Sequence, residues 1–343
     1  MKKLRVLVLV HDVLVPPPDA ASLTAAETWD YQMELDVQEA LRGLGHEVEV
    51  LGVGDELRPI RERIEAFRPH IAFNILTDFH GVIAYEAHVV SYLELLKQPY
   101  TGCNPRGMVL AGDKALSKQI LSWHRIPYPA FAVFPQRTRK ARLPKRMSYP
   151  VIVKAATLHG SAGIAQASVV RSDAELQERV DFMHRTVQDD VIVEQFLDGR
   201  ELTVAVLGNE RLEALPVWEM WFENLPDRSE AIATSRVKWD VEYAQKVGYR
   251  SGPARDLSPE LAQQAQDIAK RTYRALHLSG YARIDMRMSA EGRLHVIDAN
   301  VNPDLTGNED FAESAAHVGT DYPQLIQRIL GVGLAYKPAW MVE

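Results

Sequence analysis

Two acids and an amide stand close together near the end of the chain. Asp285 lies in Tyr281-Ala-Arg-Ile-Asp-Met-Arg-Met288, and Asp298 and Asn300 close Leu294-His-Val-Ile-Asp-Ala-Asn300. A polar turn, Ser289-Ala-Glu-Gly292, separates the two runs. Side chains alternate across a strand, so Arg283 and Asp285 share one face while Ile284, Met286 and Met288 share the other. If Met288 pairs with Arg293, then Val296, Asp298 and Asn300 join the face of Arg283 and Asp285. Oxygen ligands of this kind suit Mg²⁺, which takes one or two carboxylates and completes its shell with substrate phosphates. The plainer alternative is a cross-strand ion pair between Arg283 and Asp298, with Asp285 exposed.

A second candidate lies far upstream. Tyr149-Pro-Val-Ile-Val-Lys154 reads as a buried strand ending in a lysine, followed by the turn His159-Gly-Ser-Ala-Gly163. A charge at the end of a buried strand needs a partner. A phosphate can supply it, because a glycine-bearing turn aims backbone N–H groups at anionic oxygens. Neither a Walker loop nor a dinucleotide fingerprint is present. An ordinary tight turn beside a salt-bridged lysine is the competing account. The third segment is Val191-Ile-Val-Glu194-Gln-Phe-Leu197-Asp-Gly-Arg-Glu201. Its backbone at 195–197 can bond a purine edge, and Glu201 can accept from ribose hydroxyls; alone, this pattern is weak.

These segments must be held by a sizeable scaffold, and the chain has 343 residues, enough for two or three domains. Apolar residues make up 46% and charged residues 25%, a globular composition. The net charge of −7 argues against non-specific nucleic-acid binding. The basic run Arg137, Arg139, Lys140, Arg142, Lys145 and Arg146 reads as a solvated linker. One cysteine, Cys103, excludes an intramolecular disulfide or a zinc–cysteine cluster. The opening Val/Leu run is interrupted by His11-Asp12 and reads as a first strand rather than a signal peptide. No run reaches the length of a membrane helix, so the expected compartment is the cytoplasm.

Strands at 4–10, 46–53 and 70–75 alternate with helices at 24–44, 55–67 and 84–97, which predicts a parallel sheet covered by helices. Gly112-Asp-Lys114 opens a helix to about Trp123. Strands are expected at 150–154, 164–170, 190–196, 201–207 and 212–219, with a helix near 172–186. Residues 223–252 read as a long loop and a candidate lid. Ser258 caps a helix to about Leu276, and another helix falls near 310–330.

Taken in order, Lys114 in Gly-Asp-Lys, Lys154, His159-Gly-Ser-x-Gly-Ile, Glu194-Gln-Phe-Leu-Asp-Gly-Arg-Glu201 and the Arg283/Asp285/Asp298/Asn300 pair of strands resemble the ATP-grasp enzymes, closest to the D-alanine–D-alanine ligases. Leu93-Glu-Leu-Leu and Pro99-Tyr-Thr-Gly102 join the match, which covers roughly residues 1–330. The resemblance implies an α/β (α+β overall) ATP-grasp fold: a parallel-sheet domain over 1–104, a small central α+β subdomain over 105–188 and an antiparallel-sheet subdomain over 189–335. It implies that Lys114 and Lys154 hold ATP phosphates, with Gly160, Ser161 and Gly163 in the loop above them. Glu194, Gln195, Phe196 and Leu197 would line the adenine pocket, and Glu201 would bind ribose. Asp285, Asp298 and Asn300 would hold two Mg²⁺, for which Mn²⁺ can substitute. Arg283 would lie beside the reacting carboxylate; Ser161 and Lys238 are the other catalytic candidates.

Departures from the family fall at the substrate end. The Glu-Val-Ser-x-x-Ser element has no counterpart in Val13–Ser22, and the His-Gly-x-x-Gly-Glu-Asp-Gly run becomes His80-Gly-Val-Ile-Ala-Tyr-Glu86. The usual Thr-x-Pro-Gly after the metal strand becomes Val301-Asn-Pro-Asp304, which places a charge where an acceptor's carboxylate is expected. The lid pattern Tyr-x-x-Lys-Tyr is also missing; Lys238 or Lys246 can reach the γ-phosphate, or either is a solvated loop lysine. Trp218, Trp221 and Trp239 read as core more readily than as a substrate pocket. The expectation is an ATP-dependent carboxylate–amine ligase acting through an acyl phosphate on amino acids or peptides, with a homodimer possible. An authentic D-alanine–D-alanine ligase and a non-catalytic nucleotide-binding protein are the alternatives.

Overall fold

The computed structural model describes residues 3–17, 20, 24, 28–158, 164–225, 232, 234, 236, 237 and 240–341. Three sheets carry the architecture. The first is parallel, in the order β2–β1–β3, where β1 is Arg5–His11, β2 Glu47–Val53 and β3 Ile71–Asn74. Because β1 is central, Val6 through Val10 are fully buried, which explains their unbroken apolar run. Helices Gln32–Gly43, Arg58–Phe67 and Glu86–Leu95 follow the three strands.

The second sheet is antiparallel, β4–β7–β5–β6, built from Phe131–Phe134, Val151–Ala155 (β5), Val169–Val170 (β6) and Val191–Gln195 (β7), with Phe131–Phe134 as β4. Leu176, Val180 and Met183 of helix Asp173–Thr186 pack on Val151, Val153, Val191 and Val193. Ser172 caps that helix by accepting from the Glu175 N–H. Since β7 pairs with β4 and β5, the change of sheet falls between Gln195 and Gly199.

The third sheet runs β11–β10–β8–β12–β13, with β9 beside β8. Its strands are Gly199–Leu207 (β8), Glu213–Ala214 (β9), Trp218–Phe222 (β10), Tyr249–Pro253 (β11), Tyr281–Ser289 (β12) and Leu294–Asn300 (β13). Helix Pro259–Ala275, capped by Ser258, lays Ala265, Ile268, Ala269 and Tyr273 against a core that includes Leu202, Val204, Ile284 and Met286. Tyr281, Ala205 and Leu207 face the other way, toward helices Asp310–His317 and Tyr322–Ala335. Among the described residues no helix is long and apolar enough to cross a membrane.

Several expectations need correction. Of the helix expected over 24–44, residues 25–27 lie outside the described residues; the Thr28 N–H donates to the Thr24 carbonyl at 3.0 Å, and a 3-10 turn at Trp29–Tyr31 leads into helix Gln32–Gly43. Within the stretch 164–170 a 3-10 turn, Gln166–Ser168, leads into the two-residue β6. The stretch 212–219 splits into β9 and β10 around Pro216, which has no N–H for a ladder. Residues 223–252 are not wholly loop, because helix Val241–Lys246 precedes β11, which pairs with β10. Two further elements were unread: β4, and helix Pro105–Gly112, whose cap Asn104 accepts from the Gly107 N–H. The basic run is exposed at all six cations, while Ala141 and Met147 anchor it to the second core.

Candidate active site

The second and third sheets face each other across a cleft with about 980 Å³ of empty space, part of it open solvent. Its wall from the second sheet carries Lys154, Glu194, Gln195, Phe196 and Leu197. Its wall from the third sheet carries Glu201, Arg283, Asp285, Arg287, Asp298 and Asn300, and Lys114 closes one end. Thus the structure brings together eleven expected site residues: Lys114, Lys154, Glu194, Gln195, Phe196, Leu197, Glu201, Arg283, Asp285, Asp298 and Asn300. Gly160, Ser161, Gly163 and Lys238 lie outside the described residues, as does Trp239.

The third-sheet wall depends on a β-bulge. Arg283 pairs with Asn300 and Asp285 with Asp298, but Met286 pairs with Val296, leaving Ile297 as the extra residue. The turn pairs Met288 with Leu294, not Arg293. The bulge reverses the facing of everything before it on β13. Val296 therefore joins the core, contrary to expectation, while Asp298 and Asn300 still face the cleft. The expected cross-strand pair also differs: Arg283 grips Asp285 on its own strand, Nε to Oδ1 at 2.8 Å and Nη2 to Oδ2 at 2.9 Å. Burial opposes the guanidinium's charge, but Asp285 outweighs it and holds Arg283 above its ordinary pKa.

At the Lys114 end of the cleft, Asp113 caps helix Lys114–Trp123 by accepting from the N–H groups of Ala115 and Leu116. Lys114 Nζ donates to the Leu158 carbonyl at 2.6 Å and stands 3.5 Å from Asp298. One turn on, Lys118 is fully buried, 2.8 Å from Glu194 Oε1, and donates to the Ile297 carbonyl freed by the bulge, at 3.0 Å. Lys154 holds the other Glu194 oxygen at 3.0 Å. Burial alone would raise the Glu194 carboxyl, yet the two lysines together push it below its ordinary value. Burial lowers Lys118, which shares its carboxylate with a second cation. Glu194 therefore anchors two lysines rather than presenting a free carboxylate to a base.

Gln195 is engaged as well. Its amide donates to the Ser148 and Pro150 carbonyls, its N–H to Ala130, and the Phe196 N–H to Pro150. Arg287, two residues past Asp285 on the same face, meets Glu201 Oε2 at 3.1 Å. Neither Lys118 nor Arg287 was expected, although both had a signal. Lys118 lies four residues after Lys114 on one helix face, and strand alternation places Arg287 beside Asp285.

The substrate-end residues lie elsewhere. His80 is exposed at φ 57°. Glu86 is buried, and burial raises its carboxyl to about 8 despite a hydrogen bond to Asn302. The Asn302 amide also donates to the Leu76 carbonyl, and Asp304 accepts from the Thr306 N–H and hydroxyl. Trp218 is buried, and Arg255 stacks on Trp221 at 3.9 Å. Burial raises the Cys103 thiol to about 12, an inert packing thiol.

No group of three His, Cys, Asp or Glu residues able to hold a metal occurs among the described residues. The donor set still fits a hard cation. Asp285 and Asp298 stand directly opposite on neighbouring strands, like charges that Arg283 and Lys114 offset and that a shared cation would offset further. Two carboxylates and an amide leave the remaining coordination positions to phosphate oxygens.

Comparison with known proteins follows this geometry. The computed structure superposes on that of the D-alanine–D-alanine ligase from Bacillus anthracis complexed with ATP, with TM-score 0.72, 20% identity, and 97% and 98% of the two chains covered. The fold is that of the ATP-grasp enzymes. The family model "D-ala D-ala ligase C-terminus" matches residues 121–331. A D-alanine–D-alanine ligase from Desulfotalea psychrophila is 31% identical over 268 residues, covering 74% of this chain and 76% of the relative. An uncharacterized protein of Sinorhizobium fredii is 31% identical over 301 residues, 85% and 84% of the two chains. The chain belongs to the D-alanine–D-alanine ligase family, whose members are ATP-grasp ligases forming carbon–nitrogen bonds.

Proposed function

We propose that this chain joins a small carboxylate substrate to an amine at the expense of ATP, through an acyl phosphate, with substrate contacts that differ from those of a plain D-alanine–D-alanine ligase. The observation that carries this reading is the convergence of Lys114, Lys154, Asp285, Asp298, Asn300 and Arg283 on one cleft. In this account ATP lies with its base between Phe196 and the third-sheet wall and its ribose at Glu201. The Leu197 N–H is the donor for the base edge, since those of Gln195 and Phe196 are engaged. Lys114 and Lys154 hold the phosphates, and Gly160, Ser161 and Gly163, outside the described residues, would bind there as the family resemblance implies. Asp285, Asp298 and Asn300 would hold Mg²⁺, which when bound neutralises charge on the transferring oxygens.

The substrate carboxylate attacks the γ-phosphoryl group, so ADP leaves and an acyl phosphate forms. The amine then attacks the acyl carbon, and phosphate departs after the amine loses its proton. Arg283 is placed to stabilise the oxyanion of the tetrahedral intermediate. Lys238 or Lys246 would close on the phosphates with the 223–252 segment, keeping water from the acyl phosphate.

Altered substrate contacts are supported by Asn302 and Asp304, whose side chains are tied to Leu76 and Thr306. A plain D-alanine–D-alanine ligase is the second reading, favoured by the relative from Desulfotalea psychrophila. We propose that the protein acts in the cytoplasm on small-molecule substrates. ADP release across a panel of carboxylates and amines, with product mass confirmed, tests the proposal. Stimulation by D-alanine alone supports the second reading; a response only to another acid–amine pair supports the first; none at all, despite ATP binding, returns the chain to a non-catalytic nucleotide binder.

A further inference from the structure

Arg287 is a buried charge that meets Glu201 and two backbone carbonyls at the Phe196 end of the cleft. Its side chain is 7% exposed. The guanidinium meets Glu201 Oε2 at 3.1 Å and, through Nη1, the carbonyls of Leu197 at 3.3 Å and Gly199 at 3.2 Å. It lies 5.6 Å from the centre of the Phe196 ring. Arg287 and Glu201 are direct cross-strand partners on β12 and β8. The two carbonyls belong to the short linker that leaves β7 and enters β8, so one guanidinium joins the linker, the carboxylate and β12.

The linker backbone is pressed against β12. Gly199 has φ 152°, and a Cβ there would come within 2.0 Å of the Met288 carbonyl. Glycine alone permits that approach, and the approach brings the 199 carbonyl to Arg287. A planar fork with several fixed donors can hold a carboxylate and two carbonyls at once, which a lysine cannot.

We propose that Arg287 is a positioning residue for nucleotide selection: it fixes the Glu201 carboxylate and the 197–199 backbone so that Glu201 receives the ribose hydroxyls. This rests on the reading that Glu201 meets the ribose. Arg287 acts through Glu201 and the linker, and the class of ligand it selects is a ribonucleotide over its deoxy counterparts. β12 then presents three successive cleft-facing positions with three tasks: Arg283 for the acyl centre, Asp285 for the metal, Arg287 for the ribose end.

Calorimetric titration of the full chain with Mg-ADP, Mg-2′-deoxy-ADP and Mg-3′-deoxy-ADP tests this without any acceptor substrate. The wild type should prefer ADP to the deoxy nucleotide whose missing hydroxyl Glu201 receives by roughly 10-fold, the size of one hydrogen bond to a charged group. Glu201→Ala should erase that preference. Arg287→Met should reduce it to about twofold or less, and Arg287→Lys should restore part of it. If Arg287→Met weakens all three nucleotides by one common factor and keeps the wild-type preference, Arg287 only packs and the proposal is overturned. If Glu201→Ala keeps the preference, or the wild type has none, the ribose reading falls and takes this proposal with it. Should circular dichroism find Arg287→Met unfolded, Arg287→Lys carries the test: a smaller preference supports the proposal, and an unchanged one overturns it.

Discussion

Glu194 and Glu86 are both buried glutamates, and their surroundings drive them in opposite directions. Lys118 and Lys154 flank Glu194, and its carboxyl falls below the ordinary value although burial alone would raise it. The neighbours of Glu86 are the Asn302 amide and another acid, Asp78, and burial raises it to about 8. The cleft end of the molecule is thus charged and held by paired ions. The end beside the Val301–Thr306 segment keeps a protonated acid. A charged, preorganised end suits a polyanion whose position must not vary. A neutral acid beside Asn302 lies in the region where the sequence predicts departures from the family pattern.

Breaking the chemistry at the charged end should have the largest effect. Arg283→Ala should cut turnover about 10²–10³-fold in steady-state assays, with little change in ADP affinity. Unchanged turnover would remove Arg283 from the acyl centre. Next, Lys118→Met takes one cation from Glu194 and leaves the Ile297 carbonyl without its donor, making the charged end resemble Glu86. It should cost about 3 kcal/mol in urea unfolding, since removing one partner from a buried ion pair strands the other. A cost near zero would mean that Lys154 alone holds Glu194.

At the other end the sign reverses. The folded Glu86 holds its proton up to about pH 8, whereas the unfolded chain releases it near pH 4.5. Its contribution is therefore fully present below pH 4.5 and is lost as pH rises through 8. Glu86→Gln should leave stability unchanged at pH 4 and raise it on the order of 2 kcal/mol at pH 8.5, read from thermal unfolding at both pH values. Loss of stability at pH 8.5 would show Glu86 to be ionised and paired. The smallest effect belongs to the basic run, where Arg139→Gln with Lys140→Gln should shift stability by less than about 0.5 kcal/mol.

The same contrast separates what could be read in the sequence from what could not. Asp113 and Ser258 announced their helices because a cap is a local hydrogen bond. The buried apolar run of β1 and the alternation of β12 placed two sheets and most of the cleft. The bulge at Ile297 was not legible, because an extra residue in a strand leaves no mark in its composition. Nor was the use of Glu194, whose two lysines lie 76 and 40 residues earlier in the chain and meet it only through tertiary packing. β11 was hidden in a stretch whose Tyr249, Arg250 and Gly252 give no apolar period, and its pairing with β10 is what makes it a strand. The functions of Asn302, Asp304 and Glu86 depend on a substrate that the sequence does not name.

The most direct test of the account follows oxygen. With an acid–amine pair identified by the ADP-release panel, the acid is labelled with ¹⁸O in its carboxylate, and the released phosphate is analysed by mass spectrometry. Attack of that carboxylate on the γ-phosphoryl group predicts one ¹⁸O in each phosphate released with amide product. Unlabelled phosphate formed alongside the amide would contradict an acyl phosphate in this cleft.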